Sequence, residues 1–265
     1  MVSRIRSLGV SGVGGYEVSV EVSLSSGLLS FEIVGLPDAS VRESKDRVNA
    51  AIINSGRQMQ PKRITVNLAP ADMKKEGPSF DLPIAVGILA ASREMNPVPD
   101  IDMNSVAIFG ELSLDGSVQP IRGALPMVIS AKENGISDVI LPEMNAKEVS
   151  CIQGIHILPV SHLKQVIDWF EGKEPIPVQR QIPFETLKND AVIPLDMSLI
   201  KGQKGARRAV EVAAAGGHNM LMVGVPGSGK SMLARCIPGI LPPMSFEESL
   251  ETTRIHSISG KLPVG

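Results

Sequence analysis

Gly224, Val225, Pro226, Gly227, Ser228, Gly229, Lys230 and Ser231 place three glycines, one ammonium and two hydroxyls in eight consecutive positions. The spacing is G-x-x-x-x-G-K-S. Glycine at 227 and 229 lets main-chain amides turn toward one centre, where a side chain would block the approach of an anion. Lys230 can reach the outer oxygens of a polyphosphate, and the Ser231 hydroxyl can ligate Mg2+. This chemistry predicts a nucleotide-binding site. Its contacts are Gly224, Val225, Pro226, Gly227, Ser228, Gly229, Lys230, Ser231 and the following Met232, with Ser231 as the metal ligand.

Such a loop works between a strand and a helix. Asn219, Met220, Leu221, Met222 and Val223 predict the strand, and the run from Met232 to Ile237 predicts the helix. Hydrolysis needs more, because carboxylates on a second apolar strand hold the metal and polarise water. The acids after Ser231 are Glu247, Glu248 and Glu251, on a segment that reads as a helix with an exposed acidic face. The sequence ends about 35 residues past the loop, too soon to complete a sheet flanked by helices. It is therefore expected to be the N-terminal piece of a longer protein, and this chain to bind ATP weakly without turnover.

The 265 residues carry 26 Lys plus Arg against 28 Asp plus Glu, for a net charge of −2, which excludes an all-over basic coat. The balance is uneven: residues 1–199 hold 18 basic and 24 acidic side chains, residues 200–265 hold 8 and 4. Lys201, Lys204, Arg207 and Arg208 form a basic cluster beside Val210 and Val212, and Lys62, Arg63, Lys74 and Lys75 form two further pairs. Either a solvated face or an electrostatic, salt-sensitive DNA contact fits them. Cys151 and Cys236 are far apart, and His156, His162, His218 and His256 are isolated, so no disulfide or metal centre beyond nucleotide-bound Mg2+ is expected. The longest apolar run, Leu82 to Ala91, is half a membrane span and reads as a core helix. A reduced cytoplasmic setting follows.

Upstream, Val18, Val20 and Val22 alternate with polar residues as a strand, with Phe31 to Val34 as its expected neighbour. Ser40 and Glu43 fit a capping box for a helix that ends at Gly56. Ile64, Val66 and Leu68 form another strand, and Asp115 with Gly116 marks a hairpin turn. Prolines 175, 177, 183 and 194 then read as a linker. The division is residues 1–172, an α+β domain; 173–195, the linker; and 196–265, the opening of an α/β phosphate-loop domain that stops before its second acidic motif.

Several motifs carry a resemblance. Lys201, Gly202 and Gln203, the run from Ala213 to Asn219, the phosphate loop, Ile240 to Met244 and Arg254 to Ser257 resemble the magnesium-chelatase-like AAA+ ATPases. Val34, Gly35, Leu36, Pro37 and Asp38, with the run from Lys75 to Pro83, resemble the ComM/YifB branch. The resemblance implies a cytoplasmic hexameric ATPase that drives branch migration of branched or single-stranded DNA during natural transformation. It also implies that Gly202 and Gln203 lie beside the adenine.

The first domain resembles the proteolytic domain of Lon proteases, through Gly77, Pro78 and Ser79 and through the run from Gly110 to Ile121. Ser79 stands at the nucleophile position of a Ser-Lys dyad, but Leu125 stands where the basic lysine belongs and cannot accept a proton. Lys132, two turns on, is about 10 Å away. The fold class is therefore a protease-inactive, Lon-protease-like α+β domain followed by the truncated AAA+ domain, with Ser79 read as the N-cap of a helix over residues 80–91. A chelatase subunit, an ATP-dependent protease and a non-enzymatic oligomerisation or DNA-docking scaffold are the competing readings.

Overall fold

A computed structural model describes residues 2–28, 30–59, 62–189 and 195–262; linker positions 190–194 lie outside it. The chain divides into two units, Met1–Ile182 together with Glu251–Gly265, and Pro183–Leu250.

In the first unit β1 (Val2–Ser11) and β2 (Gly14–Ser25) form a long antiparallel hairpin, closed by Gly12 at φ 58°. β3 (Ser30–Val34) leads into α1 (Ala39–Asn54), β4 (Arg63–Ala69) and α2 (Asp81–Ser92). β5 (Val106–Ile108) precedes a small ribbon of β6 (Glu111–Leu112) and β7 (Val118–Gln119). Then come α3 (Ala124–Glu133), β8 (Asp138–Pro142), α4 (Ala146–Val149), β9 (His156–Val160) and α5 (Leu163–Phe170). Seven strands make one mixed sheet in the order β3-β4-β2-β1-β5-β8-β9. Four of its pairings are parallel (β3 with β4, β1 with β5, β5 with β8, β8 with β9).

Alternation along β2 buries Val18, Val20, Val22 and Leu24, and α2 lies over them, buried on nearly all sides. The approach is close because Gly87 has no side chain: a Cβ there would sit 2.7 Å from Val22 Cγ2. A similar constraint holds the exit of β3. Gly35, at φ 99°, lies so near β4 that a Cβ would be 2.2 Å from the Leu68 carbonyl oxygen.

The core carries one fully buried carboxylate, Asp81, at the start of α2. It accepts hydrogen bonds from Ser44 Oγ, from Arg47 Nε at 2.6 Å and Nη2 at 3.1 Å, and from the Leu112 amide at 3.2 Å. Burial pushes its pKa up while the Arg47 and Ser44 bonds pull it down. Four donors join α1, α2 and the β6–β7 ribbon at one point.

Several expectations are corrected. β3 pairs with β4 and not with β2, which lies between β4 and β1. β1 and β9 form where no strand was expected, because their partners supply hydrogen bonds that a single-segment pattern does not reveal. The cap of α1 is Asp38, whose Oδ1 accepts from the Val41 amide at 2.8 Å, so the helix starts before the Ser40–Glu43 box. Lys75 is excluded as a surface contact. Its ammonium is buried and donates to the Pro70 carbonyl and, at 2.7 Å, to that of Met73. Lys74 is paired with Glu76 at 2.7 Å.

The second unit holds α6 (Phe184–Asn189), α7 (Lys204–Gly216), α8 (Lys230–Cys236) and the first turns of α9 (Phe246–Ile258). Met197, Ile200, Val210, Leu233 and Cys236 form its core. Ser245 and Glu248 cap α9 reciprocally, at 2.8 and 3.2 Å. No helix among the described residues is long and apolar enough to cross a membrane.

Removing the buried carboxylate leaves Arg47 without its partner. Asp81→Ala is expected to cost about 3–5 kcal/mol of folding stability, measured by urea unfolding followed by circular dichroism; a change below about 1 kcal/mol would show the network to be dispensable.

Candidate functional site

The loop between Val223 and α8 turns inward as its glycines require. Gly227 and Gly229 have φ of 79° and 84°, where a side chain is disfavoured. Ser228 N closes a turn on the Val225 carbonyl at 3.3 Å, and α8 begins at Lys230. The main-chain amides of Gly229, Lys230 and Ser231 have no hydrogen-bond partner among the described residues. Lys230 folds over the loop. Its ammonium donates to the Gly224 and Val225 carbonyls, both at 2.8 Å, and to Ser228 Oγ at 3.2 Å.

Beside the loop lies a cavity of about 510 Å³, walled by Gln203, Ala206 and Ala209 on one side, by Met220 to Val225 on another, and by Ser228, Lys230 and Leu233. Of the candidate contacts, Gln203, Gly224, Val225, Ser228 and Lys230 line it. Pro226, Gly227, Gly229 and Ser231 complete the loop outside its walls, Met232 is exposed on α8, and Gly202 sits at φ 69° before α7. The sequence did not reveal that the Gln203 side chain crosses to the loop: its Nε2 donates to the Ser228 carbonyl at 2.8 Å.

The expected strand over residues 219–223 is not formed. Leu221 and Val223 are 88% and 87% exposed, and the segment has no paired neighbour among the described residues. A strand is stable only when another takes up its amides and carbonyls. The helix after the loop forms as expected.

The turn that resembles the nucleophile position of Lon proteases lies in the first unit. Ser79 is buried on a 3-10 turn, Pro78–Phe80, and lines a cavity of about 550 Å³ with Glu76, Gly77, Glu111, Arg122 and Met127. Burial and the Asp81 carboxylate raise the Glu111 carboxyl above its ordinary range. Leu125 is fully buried, with its amide on Glu148 Oε1 at 3.2 Å, and no lysine among the described residues lines the cavity. Ser79 does not cap the helix. The cap position is Phe80, and no side chain accepts from the first turn of α2. The amides Ser79 would cap are taken or missing: Asp81 N donates to the Pro78 carbonyl, Leu82 N donates to the Gly110 carbonyl at 3.0 Å, and Pro83 has no N–H. The Ser79 carbonyl accepts from the Gly110 amide at 2.8 Å.

The two motifs of the first unit prove to be one contact. Leu36 O accepts from Lys75 N at 3.1 Å, Asp38 N donates to Lys75 O at 3.0 Å, and Asp38 Oδ2 accepts from Gly77 N at 3.2 Å. Asp38 thus caps α1 and holds the Ser79 loop together. Among the histidines, His162 is the N-cap of α5, paired with Gln165 in a capping box.

Comparison with known proteins matches these two regions separately. The profile described as subunit ChlI of Mg-chelatase covers residues 20–145, and the one described as magnesium chelatase, subunit ChlI, covers residues 196–264. The chain belongs to the magnesium-chelatase-like AAA+ ATPases. Competence protein ComM of Haemophilus influenzae is 39% identical over 248 residues, 93% of this chain and 48% of that protein. The uncharacterised YifB of Escherichia coli is 39% identical over 257 residues, 97% and 49%. Within the class, this chain is a member of the ComM/YifB family. More distantly, Lon protease 2 of Bacillus subtilis is 32% identical over 165 residues, 57% of this chain and 29% of that protein. The chain spans about half the length of the ComM and YifB relatives it matches.

The contrast between Ser79 and Asp38 is measurable. Asp38→Ala is expected to destabilise the chain by about 1–2 kcal/mol through the lost cap, whereas Ser79→Ala should stay within about 0.5 kcal/mol. Equal losses in chemical denaturation would restore a capping role to Ser79.

Proposed function

We propose that the chain is the nucleotide-binding part of an ATP-driven DNA motor: it binds ATP with Mg2+, and the longer protein assembles as a homohexameric ring in the cytoplasm to move branched or single-stranded DNA. The observation that carries the reading is the group of amides at Gly229, Lys230 and Ser231 without a partner among the described residues, on the same loop as the Lys230 ammonium, whose partners are the loop's own carbonyls and Ser228. Donors left without acceptors around a lysine suit an anion, and the left-handed turns at Gly227 and Gly229 keep the approach open.

The residues fit the group. Gly224 to Ser231 and Met232 would surround the phosphates, Lys230 would exchange its carbonyl partners for phosphate oxygens, and Ser231 would ligate Mg2+. Gly202 and Gln203 would complete the contact set. Bound ATP supplies the free energy that a ring converts into rotation of one subunit against the next. This chain's own part is to bind and orient the triphosphate. DNA as the substrate is supported by the name of the ComM relative and by the exposed cations Lys201, Lys204 and Arg208 around the start of α7. A first domain without protease activity is supported by the buried leucine at 125 and by the Ser79 cavity walls.

Titration of the chain with a fluorescent ATP analogue and Mg2+ should give saturable binding, weakened by at least about tenfold in Lys230→Ala. No binding by the unaltered chain would end the nucleotide reading. For the longer protein, ATP-dependent migration of a four-way DNA junction should vanish in Lys230→Ala; equal migration by both forms would end the motor reading.

A further inference from the structure

Gln203 occupies backbone space that a glutamine ordinarily avoids. Its φ is 47°, directly after Gly202 at 69°, so two consecutive residues are left-handed. Such a conformation persists only where surrounding contacts hold it. Its backbone carbonyl accepts from the Arg207 amide at 3.0 Å, which starts α7. Its side chain turns the other way, and Nε2 donates to the Ser228 carbonyl at 2.8 Å, across 25 residues of sequence. It packs tightly there: a Cβ on Gly229 would come within 3.2 Å of the same nitrogen.

The Ser228 carbonyl and the Gly229 amide belong to one planar trans peptide and point in opposite directions. A donor that holds the oxygen therefore fixes the direction of the N–H. That N–H is one of the amides without a partner among the described residues. Lys230 restrains the loop elsewhere, at the Gly224 and Val225 carbonyls and at the Ser228 hydroxyl. Among the described residues, Gln203 is what grips this peptide by its oxygen.

We propose that Gln203 is a positioning residue for polyphosphate: through the Ser228 carbonyl it aims the Gly229 amide, and it acts on the phosphates rather than on the base. The proposal rests on the reading of the loop as a nucleotide site. Glutamine suits the task because it donates and reaches; glutamate at the same place could only accept, and would face a carbonyl.

The test titrates the whole chain by calorimetry with Mg-ATP and with inorganic tripolyphosphate, which has no base. Gln203→Glu and Gln203→Ala are expected to weaken both ligands by the same factor, about five- to tenfold. Gln203→Gly, which removes the amide and relieves the left-handed strain, should be as weak as Gln203→Ala; full affinity in Gln203→Gly would assign the effect to strain and overturn the proposal. A loss confined to ATP would make Gln203 a base contact, and no loss would make the bond idle; either result overturns it. Failure of the unaltered chain to bind either ligand would instead remove the nucleotide reading beneath it.

Discussion

A carboxylate with no access to water must be surrounded by donors, and in this chain that requirement falls on Asp81. Its partners come from α1 and from the ribbon after β5, so neither element can shift without leaving a charge unsatisfied. The same helix start carries the Ser79 turn and, two residues before it, the Gly77 amide that Asp38 holds. The geometry of the cavity in the first unit follows from these buried polar contacts. The apolar layers of β2 and α2 supply the bulk of the burial, but they do not specify which loop meets which.

In the first unit Ser79 is buried beside a cavity, and Leu125 is packed in the core. The buried lysine nearby, Lys75, is engaged by the carbonyls of its own loop, and desolvation lowers its pKa from the ordinary range. Lys75 and Asp38 bind the loop to the entrance of α1. In the second unit the phosphate loop holds amides that have no partner among the described residues, and its ammonium rests on the Gly224 and Val225 carbonyls and on Ser228 Oγ.

Much of this was legible in the residues. The alternation in β2 and β4, the buried run of α2 and the turn at Gly116 each follow from a local pattern, and the structure bears them out. The phosphate loop was legible because its glycines and lysine serve one chemistry at a fixed spacing. Contacts between distant segments were not. The pairing of β3 depends on β4, the second oxygen of the Asp38 carboxylate meets a loop 39 residues away, and the Gln203 side chain meets a peptide 25 residues downstream. The segment over residues 219–223 has the composition of a strand and lacks its neighbour, so a correct propensity led to an element that is not formed.

The turn after β3 has an evolutionary consequence. At Gly35 even one added carbon would overlap a main-chain oxygen of Leu68, and backbone, unlike a side chain, has nowhere to rotate. Drift can explore exposed positions elsewhere, such as Ile53, but position 35 holds the chain to glycine as long as Leu68 stays where it is. Any descendant that keeps β3 in the sheet must inherit that glycine unchanged, and a lineage that loses it must rebuild the edge of the domain first.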